Sequence, residues 1–172
     1  MPLHSHLERL YDAYSAGLFD YLSVFVHSEA EARDLLQDLF VKIGTLGIPA
    51  QIESEKAYLW HLAHNLAVDA LRRHTRRDRI HAGIAADSDA LRGFAENADP
   101  DAAVFARQVR DAMDSLPPEQ RSIAQMKLWD GLTFEEIAQV QGISPNTAAS
   151  RYRYAIDKLR SQLRSLYEEI TP

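Results

Sequence analysis

The segment from Thr133 to Pro145 constrains the fold more than any other part of the chain. Thr133 and Glu136 have the spacing of a capping box, in which hydroxyl and carboxylate each satisfy a backbone N–H of the first helical turn. A short helix with Ile137, Ala138 and Val140 follows. Gly142 then supplies a residue that takes a positive φ without the penalty a β-carbon brings. Ile143 is placed to plug the core beneath this turn. Ser144 can cap and Pro145 can open a long helix, along which Ala148, Tyr152, Ala155, Leu159 and Leu163 recur on one side. A small residue at Ala138 lets two helices cross closely, so the segment reads as a helix-turn-helix, although a plain helical hairpin shares part of the pattern.

In such a motif the outward residues at the start of the second helix enter the major groove. Here these are Asn146, Thr147, Ala149, Ser150, Arg151, Arg153 and Tyr154. Arginine can pair with guanine, asparagine with adenine, and hydroxyls with phosphate or base edges. No acid occurs from Ile143 to Ile156, which favours contact with a polyanion over a merely solvated face.

Upstream, the spacing predicts helices throughout. Leu7, Leu10, Tyr14, Leu18, Tyr21 and Phe25 recur every three or four residues and give a first buried stripe. Ser28 can cap a second helix, with Glu31 reaching back to it, and Leu35, Leu36, Leu39, Phe40 and Ile43 form its apolar face. Gly44, Gly47 and Pro49 break that pattern. A third helix resumes near Glu55 with Leu59, Leu62, Leu66 and Ala70 inward, and it ends in an arginine cluster. Asp99 and Pro100 suit the start of a helix through Val104, Val109 and Met113 that stops before Pro117. Another runs from Pro118 with Ile123, Met126 and Trp129, and Gly131 suits its C-terminal cap. Between the two sets, the stretch from Ile80 to Asn97 mixes Gly, Ala, Ser and Asp without apolar periodicity and reads as a linker. The expectation is therefore an all-α chain of two small domains, 1–80 and 99–172, joined by a flexible linker over 81–98.

Charge sharpens this division. The net charge of -6 argues against a protein that coats nucleic acid indiscriminately, but it is unevenly placed. Between Arg72 and Arg79 five arginines stand against one acid, a density suited to phosphate contact or to a solvated helix end. From His81 to Ser115 seven acids face three arginines, which separates the basic cluster from the helix-turn-helix by an acidic stretch. The absence of cysteine excludes disulfides, thiolate nucleophiles and finger-type zinc sites. No apolar run approaches the roughly 20 residues that cross a bilayer, and Met1 to His4 do not resemble a leader. A cytoplasmic protein without membrane insertion is expected.

Three segments, "EARDLLQDLFVKI", "AYLWHLAHNLAVDALRR" and "LPPEQRSIAQMKLWDGLTFEEIAQVQGISPNTAASRYRYAIDKLR", resemble in that order the RNA polymerase sigma factors of the extracytoplasmic-function type, within the sigma-70 superfamily. The resemblance spans nearly the whole chain. It implies a first domain like sigma region 2, which binds core RNA polymerase and opens the minus-10 promoter element, and a second like sigma region 4, which binds the minus-35 element. It also implies an anti-sigma partner that covers both faces. By the same resemblance Asp34, Gln37, Asp38 and Phe40 contact the polymerase clamp helices. Asp34, Gln37, Asp38 and Val41 share one face at helical spacing, so an acidic strip can meet a basic, partly apolar coiled coil. Tyr58, Trp60, His61, His64 and Asn65, with Arg72 and Arg73 beyond them, would face the minus-10 strand, and the loop from Gly44 to Glu53 would hold a flipped base. Aromatic rings and amides suit an unpaired base, though Trp60 can equally be a core residue. The minus-35 contacts would come from Asn146, Thr147, Ser150, Arg151, Arg153 and Tyr154.

Departures from the family pattern are specific. Ala149 replaces the usual basic residue of the recognition helix, Tyr154 and Ile156 replace later ones, and His61 and His64 stand where arginines are common. Protonation of these imidazoles would strengthen phosphate attraction. Two other readings compete with the sigma factor. A stand-alone transcriptional regulator would need its own dimerisation helix or ligand pocket, and neither is visible. A helical metalloenzyme would have to use His61, His64 and Asp69, whose spacing places Asp69 off the histidine pair. No cofactor, metal or catalytic residue is expected.

Overall fold

The computed structural model describes residues 3–26, 28–80 and 100–170. Among these the regular elements are α-helices: α1 (Leu3–Ser23), α2 (Glu29–Leu46), α3 (Glu55–Ile80), α4 (Pro100–Asp114), α5 (Pro118–Leu128), α6 (Phe134–Gln141) and α7 (Pro145–Ile170). Helices α1–α3 make up one compact unit, and α4, α5 and α7 with most of α6 a second. The expected linker over 81–98 and the cap at Asp99 lie outside the described residues. No helix among those described is long and apolar enough to cross a membrane.

In the first unit α1 packs against both α2 and α3. Its stripe buries Leu10, Leu18, Tyr21 and Leu22 completely, and Leu39 of α2 and Leu59 of α3 are also fully buried. Each such side chain contributes roughly 1.5 to 3 kcal/mol over its exposed state. Ring contacts fix the angles: Tyr11 meets Phe40 edge to face with centroids 4.9 Å apart, and Tyr14 meets Trp60 in the same way at 5.9 Å. Phe25 is buried too, but α1 has ended at Ser23, so its place in the core comes from the turn rather than from the helix.

Helix α2 begins as expected, with Ser28 Oγ accepting the Glu31 N–H at 3.1 Å. The reciprocal half of the box is absent. The Glu31 carboxylate instead meets Nε2 of His74 on α3 at 2.6 Å, a bond between helices that the local spacing could not reveal. The helix also continues through Gly44 and closes at Gly47, whose φ of +73° and N–H bond to the Ile43 carbonyl end it. Gly44 serves close approach, since a β-carbon there would lie 3.4 Å from Cδ2 of Leu7. Ser54 then caps α3 through the Ala57 N–H. The N-terminal ends of α1 and α3 are joined by Arg9 and Glu55, 2.8 Å apart.

The second unit has its own core, in which Ala112, Met113, Leu116, Ala124, Ala155 and Leu159 cluster with Ile156 and Leu163 packed on them. The last turn of α4 reaches this cluster, so Val104, near the other end of α4, is exposed despite its place in the apolar spacing. Helix α5 stops at Leu128, one residue short of Trp129, which is exposed. The Asp130 N–H returns to the Gln125 carbonyl and the Leu132 N–H to that of Met126, with Gly131 at a φ of +67°, and Leu132 enters the core in place of Trp129.

Candidate functional site

The capping box that opens α6 is complete. Glu136 N–H donates to Thr133 Oγ1 at 3.1 Å, and the Thr133 N–H donates to Glu136 Oε2 at 2.8 Å. Ile137 and Val140 turn inward from α6, and Ala138 is buried beside them. The turn after α6 is a Schellman closure: Gly142 has a φ of +65°, and the Ile143 N–H bonds to the Ala138 carbonyl at 3.1 Å. Ile143 is only half-buried, because this closure ties its backbone to the end of α6 and leaves the side chain at the rim. Ile137 and Leu132 are fully buried in its place.

Ser144 caps α7 by accepting the Thr147 N–H at 3.1 Å. Ala148, Ala155 and Leu159 are buried, while Phe134 of α6 meets Tyr152 edge to face at 5.5 Å and fixes α7 against α6. Outside that buried stripe, Asn146, Arg153 and Tyr154 are exposed, and Thr147, Ser150 and Arg151 are half-exposed. Tyr154 is 66% exposed, an aromatic ring held in solvent. Thr147, Ser150, Arg151 and Tyr154 follow at i, i+3, i+4 and i+7 and so lie along one stripe. This polar face is acid-free through Ile156.

In the first unit, Asp34, Gln37, Asp38 and Val41 are all exposed on α2, Val41 to 61%. Phe40 is not: it is buried edge-on against Tyr11, so any contribution to a partner comes through the groove it walls. That groove, about 660 Å³, runs between α1 and α2 beside the acidic strip and is lined by Leu7, Tyr11, Phe40, Val41 and Gly44 among others.

The candidates on α3 separate into two groups. Tyr58, His61, Asn65 and Arg72 fall at i, i+3, i+7 and i+14 on one face; Tyr58 is half-buried, and His61, Asn65, Arg72 and Arg73 are exposed. Asn65 Nδ2 lies 3.3 Å from Nε2 of His61, holding the two polar groups together. Trp60 and His64 face the other way. Trp60 is 1% exposed against Tyr14, which decides its alternatives for the core: it cannot stack on a base without leaving the hydrophobic interior. Half-buried His64 has its Nδ1 2.8 Å from the Tyr21 hydroxyl and its ring against Phe25. Burial first, and then the charge of His61, holds its imidazole below the ordinary histidine range. It is therefore neutral at neutral pH, and acidification charges a packed group rather than a free phosphate ligand.

Arg72, Arg73, Arg76, Arg77 and Arg79 are all exposed along the last turns of α3. Apart from Arg72, which approaches Asp69 at 3.8 Å, they present a dense positive edge at the end of the first unit. The loop before α3 is shorter than expected, because α2 runs through Gly44, and it exposes Gln51 and Glu53.

Comparison with known proteins finds two family matches. Residues 10–77, covering most of α1–α3, match the family described as Sigma-70 region 2, and residues 106–164 match Sigma-70, region 4. The chain is 30% identical over 172 residues to the RNA polymerase sigma factor CarQ of Myxococcus xanthus, covering 95% of this chain and 92% of that one. It is 29% identical to the ECF RNA polymerase sigma factor SigL of Mycobacterium tuberculosis, covering 93% of this chain and 90% of that one. Among solved structures, the sigma factor RpoE from Bartonella quintana, crystallised with the anti-sigma factor NepR, has a similar fold, with a TM-score of 0.76, 19% identity and coverage of 91% and 96%. CnrH, in complex with the cytosolic domain of CnrY, has a TM-score of 0.64 at 18% identity, with coverage of 94% and 90%.

Proposed function

The chain belongs to the RNA polymerase sigma factors of the extracytoplasmic-function class, and from that membership we propose how its two units divide the work of promoter-specific initiation. A sigma factor binds core RNA polymerase and directs it to promoters, and this is the function of the chain. The single observation that carries the reading is the order of the two matches, region 2 on α1–α3 followed by region 4 on the helix-turn-helix unit. A stand-alone regulator has no need of the first, and relatives matched along the whole chain are polymerase factors.

We assign polymerase binding to α2. Asp34, Gln37, Asp38 and Val41 offer charge and a methyl-bearing edge on one exposed face, and the neighbouring groove can receive an apolar side chain. A basic, partly apolar coiled coil fits both, which is the chemistry the family resemblance gives the polymerase clamp helices. Minus-10 recognition falls to Tyr58, His61 and Asn65 with Arg72 and Arg73 beyond them, and Trp60 and His64 support that face from within. Minus-35 recognition falls to Asn146, Thr147, Ser150, Arg151, Arg153 and Tyr154 on α7. The working units are residues 1–80 and 99–172, acting in the cytoplasm where the polymerase is. An anti-sigma protein, such as accompanies RpoE, would cover the exposed faces of the two units and silence the factor.

Transcription in vitro with core polymerase and a library of genomic promoter fragments tests the function. Run-off products that require the chain, and that share sequence at two spaced elements, are expected. Binding to DNA without polymerase-dependent transcripts would return the reading to a stand-alone regulator.

A further inference from the structure

Thr147 stands at the front of α7, where its hydroxyl could have been a hydrogen-bonding reader of DNA. The structure uses that hydroxyl otherwise. Ser144 Oγ accepts the Thr147 N–H at 3.1 Å, and the two hydroxyl oxygens lie 2.8 Å apart, so Thr147 Oγ1 is folded back onto the helix cap. A third bond, from the Ala148 N–H to the Ser144 carbonyl at 3.0 Å, holds the same turn. Threonine carries two groups on its β-carbon. With the hydroxyl engaged in the cap, the methyl is the group left to meet a ligand, and the side chain is half-exposed on the same stripe as Ser150, Arg151 and Tyr154.

Taking α7 as the recognition helix proposed above, we infer that Thr147 reads DNA through its methyl group and selects a thymine in the minus-35 element, beside the base pair met by Arg151. Thymine is the base that places a methyl group in the major groove, and threonine and alanine methyls are its natural apolar contacts. The stripe suits this pairing. Its arginine is one helical turn from Thr147, and the Tyr154 ring extends the apolar surface a further turn along. No acid lies on this stretch to compete for the arginine. The hydroxyl thereby sets helix geometry while the methyl sets sequence preference, two roles that serine or valine would each supply singly.

The test uses the complete holoenzyme and promoter fragments recovered by transcription. Each minus-35 thymine is replaced in turn by deoxyuridine, which removes only the 5-methyl group. At one position the wild-type holoenzyme should lose about fourfold in affinity, the worth of one buried methyl. Thr147→Ser, which keeps the cap hydroxyl, should bind the thymine fragment about as weakly and be indifferent to the replacement. Thr147→Val should remain sensitive to it. Indifference of the wild type to every replacement, or sensitivity retained by Thr147→Ser, would overturn the inference while leaving the recognition helix in place. A wild-type holoenzyme that does not distinguish the minus-35 element from scrambled DNA would remove the recognition-helix reading itself, and this inference with it.

Discussion

The Tyr21 hydroxyl lies 2.8 Å from Nδ1 of His64, joining the buried side of α1 to the inner face of α3. This bond turns His64 away from solvent and lets His61, three residues earlier, face outward with Asn65. Tyr21→Phe keeps the ring and its contact with Phe25, and removes the hydroxyl that bonds His64. Urea unfolding should show a loss of about 1 kcal/mol. NMR titration should find the His64 imidazole below the free-histidine value in the wild type, as its burial requires. Since a depressed imidazole costs stability only once it must be charged, its contribution is complete above about pH 6.5 and declines as pH falls below that.

Asp20 works in the opposite sense. Burial pushes its carboxyl up from the ordinary value of 3.8 to about 6. The folded chain therefore holds the proton more tightly than the unfolded one, and stability from this group falls as pH rises from 3.8 to about 6. Asp20→Asn should raise stability by about 1 to 2 kcal/mol at pH 7, after allowance for partial solvent screening. The gain should vanish near pH 3.5, where both forms are neutral. Equal stabilisation at both pH values would assign the effect to packing rather than to charge.

Gly142 has a φ of +65° with nothing within 4 Å of the position a β-carbon would take. The cost of Gly142→Ala is thus one of backbone alone, about 1 to 2 kcal/mol, read as a lower thermal midpoint. Gly142→Asn should cost less, because asparagine tolerates the left-handed region better. Minus-35 binding should weaken in the same order if the turn sets the angle of α7.

Arg151 is half-buried and Arg153 exposed, and two positions along a helix separate them by about 200°. They flank the buried stripe on opposite sides and cannot both face one base. Arg151, on the stripe with Thr147, is assigned the base and Arg153 the backbone. Arg151→Ala should relax preference at one base pair by about 1 to 3 kcal/mol, whereas Arg153→Ala should weaken all sequences alike and lower the salt slope by about one unit. Titrations on single-base minus-35 variants at several salt concentrations would tell these apart. Uniform loss from both substitutions would refute the division.

Much of this was legible because the decisive signals are local. The helix caps, the positive-φ glycines and the three-and-four spacing each act within one or two turns, so α2, α6 and α7 and their buried faces follow from neighbouring residues. What spacing could not show was which partner a side chain prefers across the fold. Glu31 chooses His74 over its own cap, and His64 chooses Tyr21 over solvent. Trp60 sits next to exposed His61 in sequence yet points to Tyr14. These are contacts between helices, with 43 residues separating the partners in both hydrogen-bonded pairs, and helical periodicity holds no information about them. Trp129 and Val104 fell outside the core for a related reason: helix ends and the reach of a neighbouring helix decide burial where a stripe runs past its partner.

The acidic strip of α2 is the surface proposed to meet polymerase. Titration of core polymerase with the labelled full-length chain, wild type against Asp38→Arg, tests it directly. Asp38 is exposed, so the substitution should leave the helical circular dichroism unchanged. The wild type should bind, and Asp38→Arg should bind about tenfold more weakly, on the order of 1.4 kcal/mol. Unchanged affinity in Asp38→Arg would contradict the assignment of this face, and a wild-type chain that fails to bind core polymerase would contradict the account as a whole.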